Sequence, residues 1–110
     1  MFDDNHILIP DSFMQLYLLP GRQKPSALRE VIEQRYELCE DLAQMLSETA
    51  RTTASSLGIT EADVLERIHK GLLSGDLELS AAECMWVVRR LAELLDWHVA
   101  AVLDRLAEGA

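Results

Sequence analysis

Few residues of this sequence have both the type and the spacing that metal or acid–base chemistry requires. Glu66 and His69 lie three positions apart, so a helix would place them on one face. Di-metal bundle sites need two such Glu-x-x-His pairs and two further glutamates. This pair is the only one in the sequence. We therefore expect no metal site and interpret both residues as ordinary surface residues.

The two cysteines, Cys39 and Cys84, form no CxxC or other ligand spacing. Each falls in the apolar phase of a predicted helix, where a free thiol behaves as a small hydrophobic side chain. We expect both to be buried structural thiols.

Motifs for nucleotide or nucleophilic chemistry are missing from the sequence. It contains no G-x-x-x-x-G-K-[ST] loop, no G-x-S-x-G elbow and no H-E-x-x-H motif. Residues 21–25 read Gly-Arg-Gln-Lys-Pro and lack the second glycine that would let backbone N–H groups surround a phosphate. We therefore expect a protein that is not an enzyme and that needs no cofactor.

Composition restricts the class of partner. The 110 residues carry a formal net charge of -9, which repels nucleic-acid phosphates and anionic lipid unless basic residues are locally concentrated. No apolar run approaches the roughly 20 residues that a membrane-spanning helix needs, and residues 1–4 lack the positive charge of a secretory signal. We expect a cytoplasmic protein whose partner is a protein, with nucleic acid and membranes disfavoured.

The elements that position these residues follow from an internal repeat. Residues 57–68 return as residues 95–106, 38 positions later, with five of the twelve positions identical. Each copy has the pattern of a helix, a turn and a second helix. The repeat predicts an all-α, compact bundle of about four helices, made of two helix-turn-helix units, over residues 26–110. Residues 1–25, which contain three prolines, are predicted to form an N-terminal arm with a short helix.

Turn and capping residues predict where the helices begin and end. The periodic pattern runs from residue 26 to residue 57 and stops at Gly58. The next helix begins after Thr60, which has Asp63 in the capping-box position, and continues to about residue 73. A further helix begins after Ser80, which has Glu83 in the same relation. The two capping boxes are the strongest boundary signals in the sequence.

The repeat also predicts a break in the last helical stretch. Asp96 occupies the position that Gly58 has in the first copy, so it would separate a helix ending at residue 95 from a final helix over residues 97–106. Because Asp adopts the left-handed conformation less readily than Gly, one continuous helix over residues 80–107 is the competing interpretation.

Aromatic and apolar side chains outside the main stripes are candidates for binding a partner. Phe13, Leu16 and Tyr17 share one face of the short helix in the arm. Trp86 lies beside the apolar stripe of its helix, and large aromatic residues in such places are enriched at protein interfaces. The alternative is that these side chains pack against the protein's own core.

The long helix carries a row of acidic residues on its polar side. Glu37, Glu40 and Asp41 form a strip in this row that could bind a basic partner. The alternative is a solvated face that only keeps the helix soluble. Arg35 lies in the apolar phase of the same helix and is expected to pair with a carboxylate, since a buried charge without a partner is costly.

Residues 54–68 resemble the helix-turn-helix of DNA-binding regulators, whose second helix enters the major groove. Arg67 and Lys70 are the basic residues of that helix here. Its first turn carries Glu61 and Asp63 instead, which do not suit contacts with phosphates or base edges. A structural corner between two helices explains the same pattern.

The chain resembles a family of small bacterial all-helical proteins of uncharacterised function in two segments, RYELCEDLA at residues 35–43 and WVVRRLAELLDW at residues 86–97. Some members of that family carry the general label of an ATPase with chaperone activity, which implies a nucleotide site. No residues of this sequence match a Walker motif, so this activity is not carried over.

These patterns predict a non-catalytic protein-interaction module, which either associates with itself, as in a homodimer, or docks to a larger complex. Its predicted contact residues are Phe13, Leu16, Tyr17, Trp86, Glu37, Glu40 and Asp41. The alternative function is that of a dimeric helix-turn-helix regulator that contacts DNA through Arg67 and Lys70.

Overall fold

The computed structural model describes residues 8–18, 21 and 24–109, and this part of the chain is all-helical. Its helices are α1 (Asp11–Met14), α2 (Arg29–Leu57), α3 (Glu61–Ser74), α4 (Ala81–Leu95) and α5 (Ala100–Gly109). A 3-10 turn, Gln15–Tyr17, continues α1. No strand occurs among the described residues, where the β pairing is a single bridge between Leu18 and Pro25. The all-α class is therefore confirmed, and none of these helices has the length and apolarity to cross a bilayer.

The starts of α3 and α4 follow the capping residues. Ser80 Oγ accepts a hydrogen bond from the Glu83 backbone N–H at 3.0 Å, and Glu83 Oε1 accepts one from the Ser80 N–H at 2.9 Å. Thr60 Oγ1 accepts from the Asp63 N–H at 3.1 Å. Each bond satisfies an N–H that the helix itself leaves unpaired. Both predicted starts are confirmed.

The internal repeat extends to the backbone conformation. Gly58 has φ +64° and Asp96 has φ +56°, so the two equivalent residues both adopt the left-handed conformation that ends a helix. Behind Asp96, the Trp97 N–H donates to the Ala92 carbonyl at 2.9 Å, which closes the end of α4. The predicted break at Asp96 is confirmed, and the continuous helix over residues 80–107 is wrong.

The start of α5 differs from the prediction. This helix begins at Ala100, three residues later than expected, and ends at Gly109. The Val99 carbonyl accepts the first helical hydrogen bonds, from the N–H groups of Val102 and Leu103, both at 3.1 Å. In the first copy of the repeat two residues, Ile59 and Thr60, separate Gly58 from the helix, so the equivalent pair after Asp96 belongs to the connection. The second copy adds one more residue, Val99, before α5 begins.

Packing divides the chain into two compact units, residues 1–38 and residues 39–110. The boundary falls inside α2, whereas the sequence pattern places the end of the arm at residue 25. In the first unit the ring of Phe13 lies 5.6 Å from the ring of Tyr17 and 5.6 Å from that of Tyr36, measured between centroids. These aromatic contacts join the short helix to the first part of α2.

The second unit contains the last part of α2 together with α3, α4 and α5. Its core consists of Ala50, Val64, Leu65, Val88, Leu91, Ala92 and Val102, all of them buried. In α4, the six consecutive residues 83–88 are buried. Six residues make more than one and a half turns, so this part of α4 has no solvated face.

Two substitutions test the left-handed turns. Gly58→Ala should lower the free energy of unfolding by about 1 kcal/mol, and Asp96→Gly should raise it by about the same amount, because only glycine adopts this conformation without strain. Each change corresponds to a shift of roughly 4–8 °C in Tm, measurable by circular dichroism.

A matched control separates conformation from packing. A Cβ would meet nothing within 4 Å at Gly58 or at Gly71, and Gly71 lies inside α3. Gly71→Ala should therefore stabilise the protein, since alanine is the better helix former. Equal effects of the two alanine substitutions would contradict the role given to the turn.

Candidate functional site

Two of the four predicted apolar anchors lie in the interior. Phe13 has no exposed surface and Trp86 is only 7% exposed, so both serve internal packing and offer no surface to a partner. Trp86 belongs to residues 83–88 of α4, all of which are buried. Its position beside the apolar stripe of the helix therefore does not bring it to the surface. Leu16 and Tyr17 are half-buried, and Tyr17 is held against Phe13.

The three residues of the predicted acidic strip also differ in their exposure to solvent. Glu37 and Asp41 are exposed, whereas Glu40 is bound by Arg90 of α4. Arg90 donates from Nε to Glu40 Oε1 at 2.8 Å and from Nη2 to Glu40 Oε2 at 3.1 Å. Gln44 donates to Glu40 Oε2 at 2.7 Å, and Glu93 Oε1 accepts from Arg90 Nη1 at 3.1 Å. Glu40 therefore joins α2 to α4 rather than facing a partner.

The electrostatics of this pair agree with a structural role. Hydrogen bonds from Arg90 hold the pKa of the Glu40 carboxyl below its ordinary value, even though burial acts in the opposite direction. The two carboxylates in turn raise the pKa of Arg90. A two-point guanidinium–carboxylate contact also fixes the relative orientation of the side chains, so it holds this part of α2 in one position on α4.

Beside this ion pair lies a surface that we call the α2 patch, consisting of Asp41, Gln44, Met45 and Glu48. These residues lie at i, i+3, i+4 and i+7 and share one side of the helix, and all four are exposed. Met45 is 63% exposed, which places a flexible apolar side chain between two carboxylates. Met45 was not among the predicted contact residues, although its position four residues after Asp41 places the two side chains on the same side of a helix.

A different cluster surrounds a cavity of about 300 Å³ between α3 and α5. We call it the α3–α5 cavity; it is lined by Glu66, Arg67, His69, Lys70, Leu73, Arg105, Leu106 and Gly109. The structure therefore brings together the two basic residues singled out for DNA contact and adds Arg105 to them. Glu66 Oε1 lies 3.1 Å from Arg105 Nη2.

His69 is the second residue that sequence reasoning misjudged. It is only 5% exposed, so the expectation of a surface residue is wrong. Its position four residues after the buried Leu65 places it on the same inward side of α3. The Nε2 atom is buried and has no hydrogen-bond partner in the described chain. Burial lowers the pKa of the imidazole, which is therefore neutral at pH 7.

A wider cavity of about 570 Å³ lies where α4 passes into α5. Its wall includes Arg89, Glu93, Asp96, Trp97 and His98. Asp96 and His98 are almost fully exposed and lie 3.3 Å apart across the turn. The wall carries charges of both signs. The described atom that is buried without a hydrogen-bond partner, His69 Nε2, does not belong to it. This cavity therefore has no feature that favours one class of ligand.

Cys39 and Cys84 are both buried and free of disulfide bonds, as expected. Burial and the neighbouring carboxylate of Glu83 raise the pKa of the Cys84 thiol, which keeps it protonated and unreactive. Within residues 8–18, 21 and 24–109, no three His, Cys, Asp or Glu side chains are grouped so as to hold a metal ion.

Comparison with known proteins identifies no relative of this chain. No protein-family model, characterised protein or solved structure matches this chain. The candidate sites therefore rest on their own geometry, which offers an acidic patch with an apolar centre on α2 and a basic cavity between α3 and α5.

The Glu40–Arg90 pair makes the stability depend on pH. Since the pKa of Glu40 is lowered in the folded state, its stabilising effect is complete above the ordinary value of 4.5. The effect is lost as the pH falls through the lowered pKa. Glu40→Gln should reduce the free energy of unfolding by roughly 1–2 kcal/mol at pH 7, and the difference from wild type should shrink below pH 4.5.

Urea unfolding at a series of pH values measures this difference. Glu93→Gln is the matched control, because Glu93 meets the same guanidinium from an exposed position and should contribute little. A constant difference between wild type and Glu40→Gln across the acidic range would show that the lost interaction is not electrostatic.

Proposed function

We propose that this protein is a cytoplasmic, non-catalytic module that binds a protein partner through the α2 patch. The observation that carries the proposal is the 63% exposed Met45 set among the exposed Asp41, Gln44 and Glu48. Methionine adapts its shape to irregular apolar surfaces and is common at binding surfaces. Carboxylates at the rim of such a contact select a basic partner and exclude acidic ones.

The charge of the patch favours a different protein over a second copy. In a symmetric dimer the same patch from each subunit would meet itself, and Asp41 and Glu48 would then face like charges. The formal net charge of -9 adds a general repulsion between two copies. The proposed partner therefore carries an apolar surface, such as an amphipathic helix, with Lys or Arg beside it.

The ion pair behind the patch supports this interpretation. Glu40 lies one residue before Asp41, and its two hydrogen bonds to Arg90 fasten this turn of α2 to α4. A surface held in its binding geometry loses less conformational entropy when a partner binds. Glu40 thus contributes to the proposed function by positioning its neighbours, rather than through the direct contact that the sequence suggested.

Site-specific photocrosslinking in the native host tests the proposal. A benzophenone amino acid at position 45 should form an adduct with a protein that differs from this chain. The same probe at Leu77, which is also apolar and exposed, should not form that adduct. Asp41→Lys combined with Glu48→Lys should remove the adduct, because the rim charges would be reversed.

Asp76→Lys combined with Asp104→Lys is the matched control, since it changes the net charge equally at exposed positions outside the patch. The adduct should survive in this control. An adduct that survives charge reversal in the patch, or one that contains only a second copy of the chain, would contradict the proposed partner class.

The grouping of Arg67, Lys70 and Arg105 is the observation that favours DNA binding as the second candidate. The exposed Glu61 and Asp63 in the first turn of α3 oppose it. We therefore expect no measurable binding of random genomic fragments in low-salt fluorescence anisotropy. Binding that falls steeply with salt and is lost in Arg67→Glu would establish the regulator instead.

A further inference from the structure

The α3–α5 cavity lies wholly within the second unit and has the form of a small-ligand site. Its volume is about 300 Å³. Ligand pockets have volumes of roughly 300–1,000 Å³, so this cavity is at the small end of that range. Leu73 and Leu106 supply apolar wall, and charged side chains surround the rest. Ligand pockets usually have mostly apolar walls, whereas five of the eight residues around this cavity are charged residues or histidine, so a charged ligand suits it better than an apolar one.

Basic residues outnumber acidic ones around this cavity, although the chain as a whole is strongly acidic. Arg67, Lys70 and Arg105 face a single carboxylate, that of Glu66, and Arg105 is already paired with it. The last turns of α3 and α5 contain no basic residue, so compensation of the helix dipoles does not account for these cations. A concave basic surface of this kind attracts an anion.

The internal repeat explains how two of these cations come to share the cavity. Arg67 and Arg105 are equivalent residues of the two copies, on the equivalent helices α3 and α5. His69 and Lys70 have no such counterparts, because Ala107 and Glu108 occupy the equivalent positions. Two of the three cations therefore come from α3, which also supplies the carboxylate of Glu66.

His69 supplies an independent observation. Its Nε2 atom is buried without a hydrogen-bond partner in the described chain, which is rare in native proteins and calls for an explanation. The other residues of the cavity do not provide a partner. Once the side chains that cover this atom move aside, the neutral imidazole can carry a proton on Nε2 and donate a hydrogen bond to an oxygen atom in the cavity.

We propose that the α3–α5 cavity binds a small anion that carries a phosphate or carboxylate group beside an apolar portion. Arg67 and Lys70 attract the anionic group, and His69 Nε2 donates a hydrogen bond to one of its oxygens. The apolar portion lies against Leu73 and Leu106. A free small molecule is favoured over a nucleic-acid backbone, because a backbone contacts exposed cations without reaching a buried imidazole.

Phenyl phosphate and benzoate are suitable probes, and NMR on the isotope-labelled full chain measures their binding. Saturable shifts should appear at the His69 imidazole and at amides of α3 and α5. Sodium chloride at equal ionic strength should not produce them. Arg67→Glu combined with Lys70→Glu should weaken binding by at least about tenfold, because charge-assisted hydrogen bonds are lost.

The control pair is Arg51→Glu with Arg89→Glu, which makes the same charge change at exposed positions outside the cavity and should alter the affinity less than about threefold. His69→Leu should weaken binding by about tenfold without lowering Tm, since an apolar side chain replaces a polar atom that lacks a partner. A purely structural histidine would leave the affinity unchanged and overturn the proposal.

A short DNA duplex, titrated under the same conditions, distinguishes the two sources of phosphate. Binding of phenyl phosphate or benzoate at His69 with no response to the duplex supports a small-molecule site. Binding of the duplex alone, or shifts that sodium chloride reproduces, would overturn it. Because none of these measurements involves the α2 patch, their failure would leave the proposed protein-binding function untouched.

Discussion

The burial of residues 83–88 of α4 on all sides is the constraint on which the second unit depends. A helix segment without a solvated face must satisfy its polar groups at its ends. At its start, Ser80 and Glu83 bond each other's backbone N–H groups. After the buried residues, the half-buried Arg90 is paired with Glu40. The position of Arg90 on α4 thus determines that Glu40 of α2 is held in an ion pair. The neighbouring Asp41 remains exposed and able to contact a partner.

The paired Glu40 and the exposed Glu37 and Asp41 suit different roles in binding a partner. Glu37, Glu40 and Asp41 all carry a carboxylate, yet among them only Glu40 pairs with a cation from another helix of its own unit. A carboxylate that accepts two guanidinium hydrogen bonds exchanges its hydration for a fixed geometry. An exposed carboxylate keeps its hydration and remains able to attract an approaching cation within about one Debye length. The exposed residues therefore suit the attraction of a partner, and the paired residue suits the positioning of the surface.

Helix boundaries could be predicted from the sequence because capping acts within a few residues. The hydroxyls of Thr60 and Ser80 and the repeat position of Asp96 were sufficient for three of them. The burial of Trp86 and His69 could not be predicted in the same way, since it depends on side chains that are distant in sequence. The exposed Met45 was missed for the converse reason, because an apolar residue at helical spacing is most often part of a core.

The repeat also helps to explain why cations meet around the α3–α5 cavity. The internal repeat places equivalent side chains on α3 and α5, and Arg67 and Arg105, which both line the cavity, repel each other. The carboxylate of Glu66 offsets one of them, but its counterpart Asp104 does not line the cavity. Arg67 and Lys70 are therefore left with unbalanced positive charge beside a buried imidazole nitrogen that lacks a partner. An anion bound there would satisfy both requirements at once, which neither solvent screening of the cations nor a purely apolar ligand would do.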